Sequence, residues 1–243
     1  MSTPRLFVPV GQLRGSHATL DASAHRHLIK VLRLSPGDAL RVFDGTGTEI
    51  EARIEAIGRT SVDISLGERR SLPAPACAIS LLVAPPRGER MDLVVQKTTE
   101  LGVSRIVPVV SEHGVAKPGP NQQRRWRTIA EEAARQSGRA DVPEIAPPAA
   151  LALALTAVGL PRRLLLWEDE RHQSLPQALA DGPRAVELLV GPEGGFSPAE
   201  VRLATTSGFV SVGLGPRILR SETAAMVAVA LAQAAAGGFG FGQ

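Results

Sequence analysis

The sequence predicts an α/β protein in two parts, a small β-barrel followed by a larger domain on a mainly parallel sheet. Three observations lead there. Residues 5–70 carry short runs with apolar side chains at alternate positions, the period of a half-buried strand. Leu72-Pro73-Ala74-Pro75 then reads as a linker. From Ala78 onward strands and helices alternate, as they do when helices cover a parallel sheet. The expected domains are residues 1–72 and 73–243.

In the first part, strands are expected over residues 6–8, 39–44, 49–57 and 61–66, punctuated by Gly37-Asp38, Asp44-Gly45-Thr46-Gly47 and Gly58. Ile50, Ala52, Ile54 and Ala56 fall on one face of the third, opposite Glu51, Arg53 and Glu55. A short helix is expected over 22–32. In the second part, the continuous apolar run 78–84 reads as a strand buried on both faces. A helix follows over 89–101, with Gly102 as its stop. Further strands are expected at 105–110, 163–167, 185–190 and 209–212, and a helix at 121–137 capped by Asn121. Ser197, Pro198 and Glu200 give a complete start signal for a helix over 198–206. Ser221 is the expected cap of a final helix reaching about residue 236.

Composition narrows the function. The chain has 243 residues, 44% hydrophobic and 21% charged, enough to build a packed core. A single cysteine, Cys77, excludes a disulfide scaffold and a cysteine-rich zinc site, and the five histidines show no metal-ligand spacing. No metal is expected. No run reaches the ~20 apolar residues of a spanning helix; 149–160 is too short. With no signal peptide in sight, a soluble cytoplasmic protein is expected. Net charge is +3, and 24 of the 27 basic residues are arginine. The basic excess lies in residues 1–145, which suits a polyanion partner.

Two loops at strand ends stand out, where open α/β sheets bind ligands. The first is Gly191-Pro192-Glu193-Gly194-Gly195-Phe196. A tight turn needs one or two glycines; three around a proline and a carboxylate point to a ligand loop. The second runs from Gly213 to Thr223 and carries Arg217, Arg220 and Glu222. Neither is a Walker A loop or a GxGxxG turn, so ATP hydrolysis and an ordinary dinucleotide fold are disfavoured. Two basic stretches add to this: residues 25–33 on the barrel's helix, and Arg124-Arg125-Trp126-Arg127 with Arg135 on the helix 121–137. Gln136 and Arg139, at and beyond the end of that helix, are better candidates than the arginines within it.

Four segments then fall in one order: His27-Leu28 with Val31-Leu32-Arg33 and Gly37-Asp38; Gln96-Lys97 with Thr99-Glu100-Leu101-Gly102-Val103 and Pro108; Glu132-Ala133-Ala134 with Gln136-Ser137, Arg139 and Val142-Pro143; and the two strand-end loops, the second containing Leu214-Gly215-Pro216-Arg217-Ile218-Leu219-Arg220-Ser221-Glu222-Thr223-Ala224. In these the chain resembles the bacterial 16S ribosomal RNA uridine-N3 methyltransferase family, within the SPOUT superfamily. The likeness spans nearly the whole chain. It implies a trefoil-knotted α/β methyltransferase domain, a PUA-like RNA-binding barrel, S-adenosylmethionine as cofactor, and a homodimer with sites at its interface. One stretch departs from the pattern: Ser111-Glu112-His113-Gly114 stands where such enzymes carry a Ser-Glu-Arg-Ser-like run.

The resemblance also implies roles. The cofactor falls to Leu166, Trp167, Glu168, Val190, Gly191, Pro192, Glu193, Gly194, Gly195, Leu214, Gly215, Ile218, Leu219, Arg220 and Thr223. Arg220 would stabilise charge on a uracil oxygen, and Glu222 would orient it or accept the proton. Gln136 and Arg139 would approach from the partner subunit. The net positive charge of residues 1–72, rather than the resemblance, makes Arg5, Arg26, Lys30 and Arg33 candidate phosphate contacts. The final helix offers Ala224, Ala225, Ala228 and Ala232 as a smooth dimer face. Two rivals are weighed beside this: a ribose 2′-O-methyltransferase on the same fold, and a non-catalytic RNA-binding assembly factor.

Overall fold

The computed structural model describes residues 3–13, 15–114, 118–156 and 159–240. Two compact units divide the chain: Met1–Ala74 with Ala134–Val142, and Pro75–Ala133 with Pro143–Gln243. The expected boundary lies at 72/73, with 134–142 in the second part. The return of 134–142 to the first unit was not expected, because it rests on contacts remote in sequence. Phe43, Ala134 and Ala140 share a small core with Phe7, Leu72 and Val142, and Val142 N–H donates to Gly45 O.

In the first unit β1 (Arg5–Phe7), β2 (His17–Leu20), α1 (Ala22–His25), β3 (Ala39–Phe43), β4 (Thr48–Ile57) and β5 (Val62–Ser71) follow in order. The strands pair as β1-β3-β4-β5-β2, so β1 and β2 are free edges and the barrel is partly open. Leu20, Leu28, Leu40, Val42, Ile50, Ile54, Val62 and Ile64 fill its core. Ala56 is exposed, against the expected alternation, because a register shift between Ile54 and Ala56 turns it outward. Asp21 caps α1 through Ser23 and Ala24 N–H. The chain then continues in wider π-type turns over Arg26–Val31 rather than as one α-helix. Burial alone would push the Asp44 carboxyl up, yet hydrogen bonds from Thr46 and Thr48 hold it below its usual range.

The second unit contains β6 (Ala78–Val83), α2 (Arg90–Glu100), β7 (Arg105–Val110), the first part of α3 (Pro120–Ser137), β8 (Glu144–Ile145), β9 (Ala149–Ala150), α4 (Leu151–Thr156), β10 (Arg162–Leu166), α5 (Leu175–Ala178), β11 (Ala185–Val190), α6 (Pro198–Thr206), β12 (Val210–Val212) and α7 (Ser221–Ala235). The sheet is parallel throughout, in the order β12-β10-β11-β6-β7-β8, with β9 also on β7. Its centre, β6 and β11, is almost wholly buried, as the continuous apolar runs require. α3 begins at Pro120, so Asn121 lies inside the helix rather than capping it. The Ser197 capping box on α6 is present in full. Gln233 of α7 is buried and bonds Cys77 N–H, Cys77 O and Gly102 O, which ties three elements together. Of the expected small-residue dimer face, Ala225, Ala228 and Ala232 are fully buried within the chain and Ala224 is half-buried, so most of that face is consumed inside the subunit. Among the described residues no helix is long and apolar enough to cross a membrane.

Candidate functional site

Parallel register brings three strand ends to one level. Leu166 of β10 lies beside Val190 of β11 and Val212 of β12. The loops that leave these ends enclose a cleft of about 260 Å³, near the lower end of small-ligand pockets. Its walls come from residues 166–168, 171, 190–193, 195, 212–221 and 224. Gly195 closes a turn on Pro192 O at 3.0 Å and has φ +69°. Gly215 has φ +96°, and a Cβ there would meet nothing within 4 Å. Both sit in a backbone region that favours glycine.

The two loops are tied directly. Ser221 Oγ donates to Gly191 O at 2.6 Å. This overturns Ser221 as the cap of α7: the capping position is Arg220, with no side-chain bond, and Ser221 is the first helical residue. A hydroxyl committed to a carbonyl thirty residues away is not available to cap its own helix.

Thirteen of the fifteen expected cofactor residues line the cleft: Leu166, Trp167, Glu168, Val190, Gly191, Pro192, Glu193, Gly195, Leu214, Gly215, Ile218, Leu219 and Arg220. Gly194 and Thr223 do not. Gly194 faces His113 instead; a Cβ on it would lie 3.2 Å from His113 Cβ. His113 Nδ1 lies 3.2 Å from both Gly194 O and Gly195 O, so the departure from the family's arginine puts an imidazole on the glycine loop. Gly213, Pro216, Arg217 and Ser221, within the strand-end loop that the sequence singled out but not among the expected cofactor residues, also line the cleft, as do Arg171, Val212 and Ala224. The strand-end rule could have added Val212; nothing local marks Arg171.

Charge is unevenly placed. Arg217 and Arg220 are exposed on the cleft wall. Neither side chain has a hydrogen bond or ion pair among the described residues. Glu222 is buried, with Oε1 3.7 Å from Arg90 Nε and Oε2 unpartnered among the described residues. Gln136 and Arg139 belong to the first unit and do not line this cleft. Gln136 is exposed. Arg139 grips Asp141, with Nε 3.1 Å from Oδ1 and Nη2 2.5 Å from Oδ2.

The four expected phosphate contacts separate. Arg26, Lys30 and Arg33 are exposed. Arg5 is not available. Its Nε pairs with Glu49 at 2.8 Å, Nη1 and Nη2 donate to Arg135 O and Arg139 O, and the guanidinium lies 5.0 Å from the Phe43 ring centroid. Its charge is spent inside the first unit on a carboxylate that is 4% exposed.

Residues 73–233 match the RNA methyltransferase domain family, and residues 20–67 match the RNA methyltransferase PUA domain. The chain belongs to this RNA methyltransferase family. A ribosomal RNA small subunit methyltransferase E from Synechocystis is 34% identical over 232 residues, covering 93% of this chain and 76% of that protein. The Bacillus subtilis protein of the same name is 30% identical over 218 residues, 84% of each. A putative methyltransferase from Legionella pneumophila, solved with bound S-adenosylmethionine, superposes with a TM-score of 0.88 at 32% identity, covering 97% of this chain and 98% of that one. A ribosomal RNA small subunit methyltransferase E from Neisseria gonorrhoeae, bound to S-adenosylmethionine, gives 0.87 at 31% identity, covering 96% and 98%. The methyltransferase fold expected from the sequence, with its PUA domain, is therefore the fold of this chain.

Proposed function

We propose that this methyltransferase uses S-adenosylmethionine to methylate N3 of a uridine in small-subunit ribosomal RNA, acting as a cytoplasmic homodimer without a metal. The carrying observation is the cleft itself: three parallel strand ends in register, ringed by glycine loops, with unpaired Arg220 on its wall. The trefoil knot implied by the resemblance belongs to the same reading.

The residues present fit the cofactor. Leu166, Val190, Val212 and Leu219 give apolar walls for an adenine, and Gly191, Gly195 and Gly215, having no side chains, let a ligand come close to the backbone. Glu168 and Glu193 on the same wall suit a cationic ligand. Bound there, S-adenosylmethionine supplies an electrophilic methyl group and needs no metal to do so.

The chain's own residues then position and discharge the base. Arg220, whose side chain has no partner among the described residues, donates to a uracil carbonyl oxygen as N3 loses its proton. Glu222, buried behind the residues that line the cleft, orients Arg220 or, once bound RNA brings N3 within reach, takes that proton. Exposed Arg26, Lys30 and Arg33 hold the RNA backbone. Gln136 and Arg139 reach the site from the partner subunit, Arg139 by turning from Asp141. The half-buried Met226, Val227 and Leu231 of α7 provide the apolar surface for the dimer.

The test uses purified protein, radiolabelled S-adenosylmethionine and small-subunit ribosomal RNA or assembled subunits. Nucleoside digestion should place the label in 3-methyluridine. Label in a 2′-O-methylated nucleoside, or cofactor binding without transfer, would refute the proposal.

A further inference from the structure

We infer that Arg90 is a positioning residue for methyl transfer, holding the 191–195 loop and the start of α7 together through Glu193 and Glu222. The inference rests on the methyl-transfer reading. Arg90 opens α2 and lies outside every motif that marks the site. Its Nη1 lies 3.1 Å from Glu193 Oε1, and the same oxygen accepts Arg87 N–H at 3.1 Å. Two donors on one oxygen fix the Glu193 side chain in the cleft wall. On its other side, Arg90 Nε lies 3.7 Å from Glu222 Oε1.

Burial decides that this is more than a surface pair. The Arg90 side chain is 43% exposed and Glu193 29%, and a pair like that adds little by itself. Glu222 is 8% exposed. Among the described residues its Oε2 has no partner, and Arg90 is its sole cation within 4 Å. A buried carboxylate without a counter-charge is expensive. Arg90 offsets that cost while it also holds Glu193. Only a fork can do both tasks, because Nε and Nη1 address two carboxylates on two elements.

The experiment compares Arg90→Ala and Arg90→Lys with the parent. It measures S-adenosylmethionine affinity by calorimetry, single-turnover methyl transfer at saturating cofactor and RNA, and melting temperature. Arg90→Ala should weaken cofactor binding about tenfold and slow saturated transfer by roughly ten- to a hundredfold, the scale of a small misplacement of reacting groups. Arg90→Lys should recover the melting temperature and less than half of the saturated rate. Ethylguanidinium added to Arg90→Ala should raise its rate where ethylammonium does not. A parental saturated rate in Arg90→Ala, or a parental rate in Arg90→Lys, overturns the inference. If Arg90→Ala does not fold, Arg90→Lys and its guanidinium response decide. Should the parent itself transfer no methyl group, the functional reading fails, and the cofactor titrations still report whether Arg90 sets the loop.

Discussion

Gly194 and Gly195 are adjacent and identical in sequence terms, yet substitution should separate them sharply. Gly195 has φ +69°, and a Cβ there would lie 2.3 Å from Glu168 Oε1. A left-handed backbone with a Cβ costs about 1–2 kcal/mol. Glu168 is exposed and its carboxylate is the far end of a flexible side chain, so it swings away rather than breaking the sheet. The strain therefore falls on the loop, which relaxes in the free protein and must be restored when the cofactor binds. At 1.4 kcal/mol per tenfold, Gly195→Ala should weaken S-adenosylmethionine binding by roughly five- to thirtyfold. Gly194 has no such constraint. Its Cβ would meet His113 Cβ at 3.2 Å, away from the cleft, so Gly194→Ala should change affinity by less than about threefold. Isothermal titration of both variants gives the answer. Equal affinity of Gly195→Ala and the parent, or a larger loss in Gly194→Ala, would refute the assignment of these two glycines.

Arg220→Ala should lower the single-turnover rate by roughly 10²–10³, the scale for losing one oxyanion-type donor. Melting temperature and cofactor affinity should hold, because Arg220 is exposed and has no internal partner to abandon; Arg220→Lys should rescue in part. Arg5→Ala should cost about 2–4 kcal/mol in denaturant unfolding, since it strips a donor from buried Glu49 and two from the carbonyls of Arg135 and Arg139. Its cofactor affinity should not move. The triple variant Arg26→Ala, Lys30→Ala, Arg33→Ala should weaken RNA binding and flatten its log–log salt slope by about 2–3, read from affinities at several salt concentrations.

Much of the fold could be read because its signals are local. The buried runs of β6 and β11, the Ser197-Pro198-Glu200 start of α6 and the glycine stop after α2 each sit within a few residues of their effect. β2 escaped because four edge residues, His17–Leu20, give only two turns of an alternating pattern. α4 and α5, six and four residues long, are below the length at which a helical period shows.

The site was legible to the extent that glycine excess marks loops. The rest depends on partners distant in the chain. Charge alone put Arg5 with Arg26, Lys30 and Arg33. Only folding brings Glu49 to Arg5 and removes it from the set. A capping preference pointed to Ser221, but Gly191 O competes for the same hydroxyl and wins. No spacing rule separates Gly194 from Gly195, since the distinction is the sign of φ. The alanine face of α7 looked like an interface, and α2 packs against that helix within the chain.

The most direct test of the central claim is nucleoside mass spectrometry of small-subunit ribosomal RNA from a strain lacking this gene. The expected result is loss of 3-methyluridine, its return with the wild-type gene, and no return with Arg220→Ala. Undiminished 3-methyluridine in the deletion strain, or full restoration by Arg220→Ala, would contradict it.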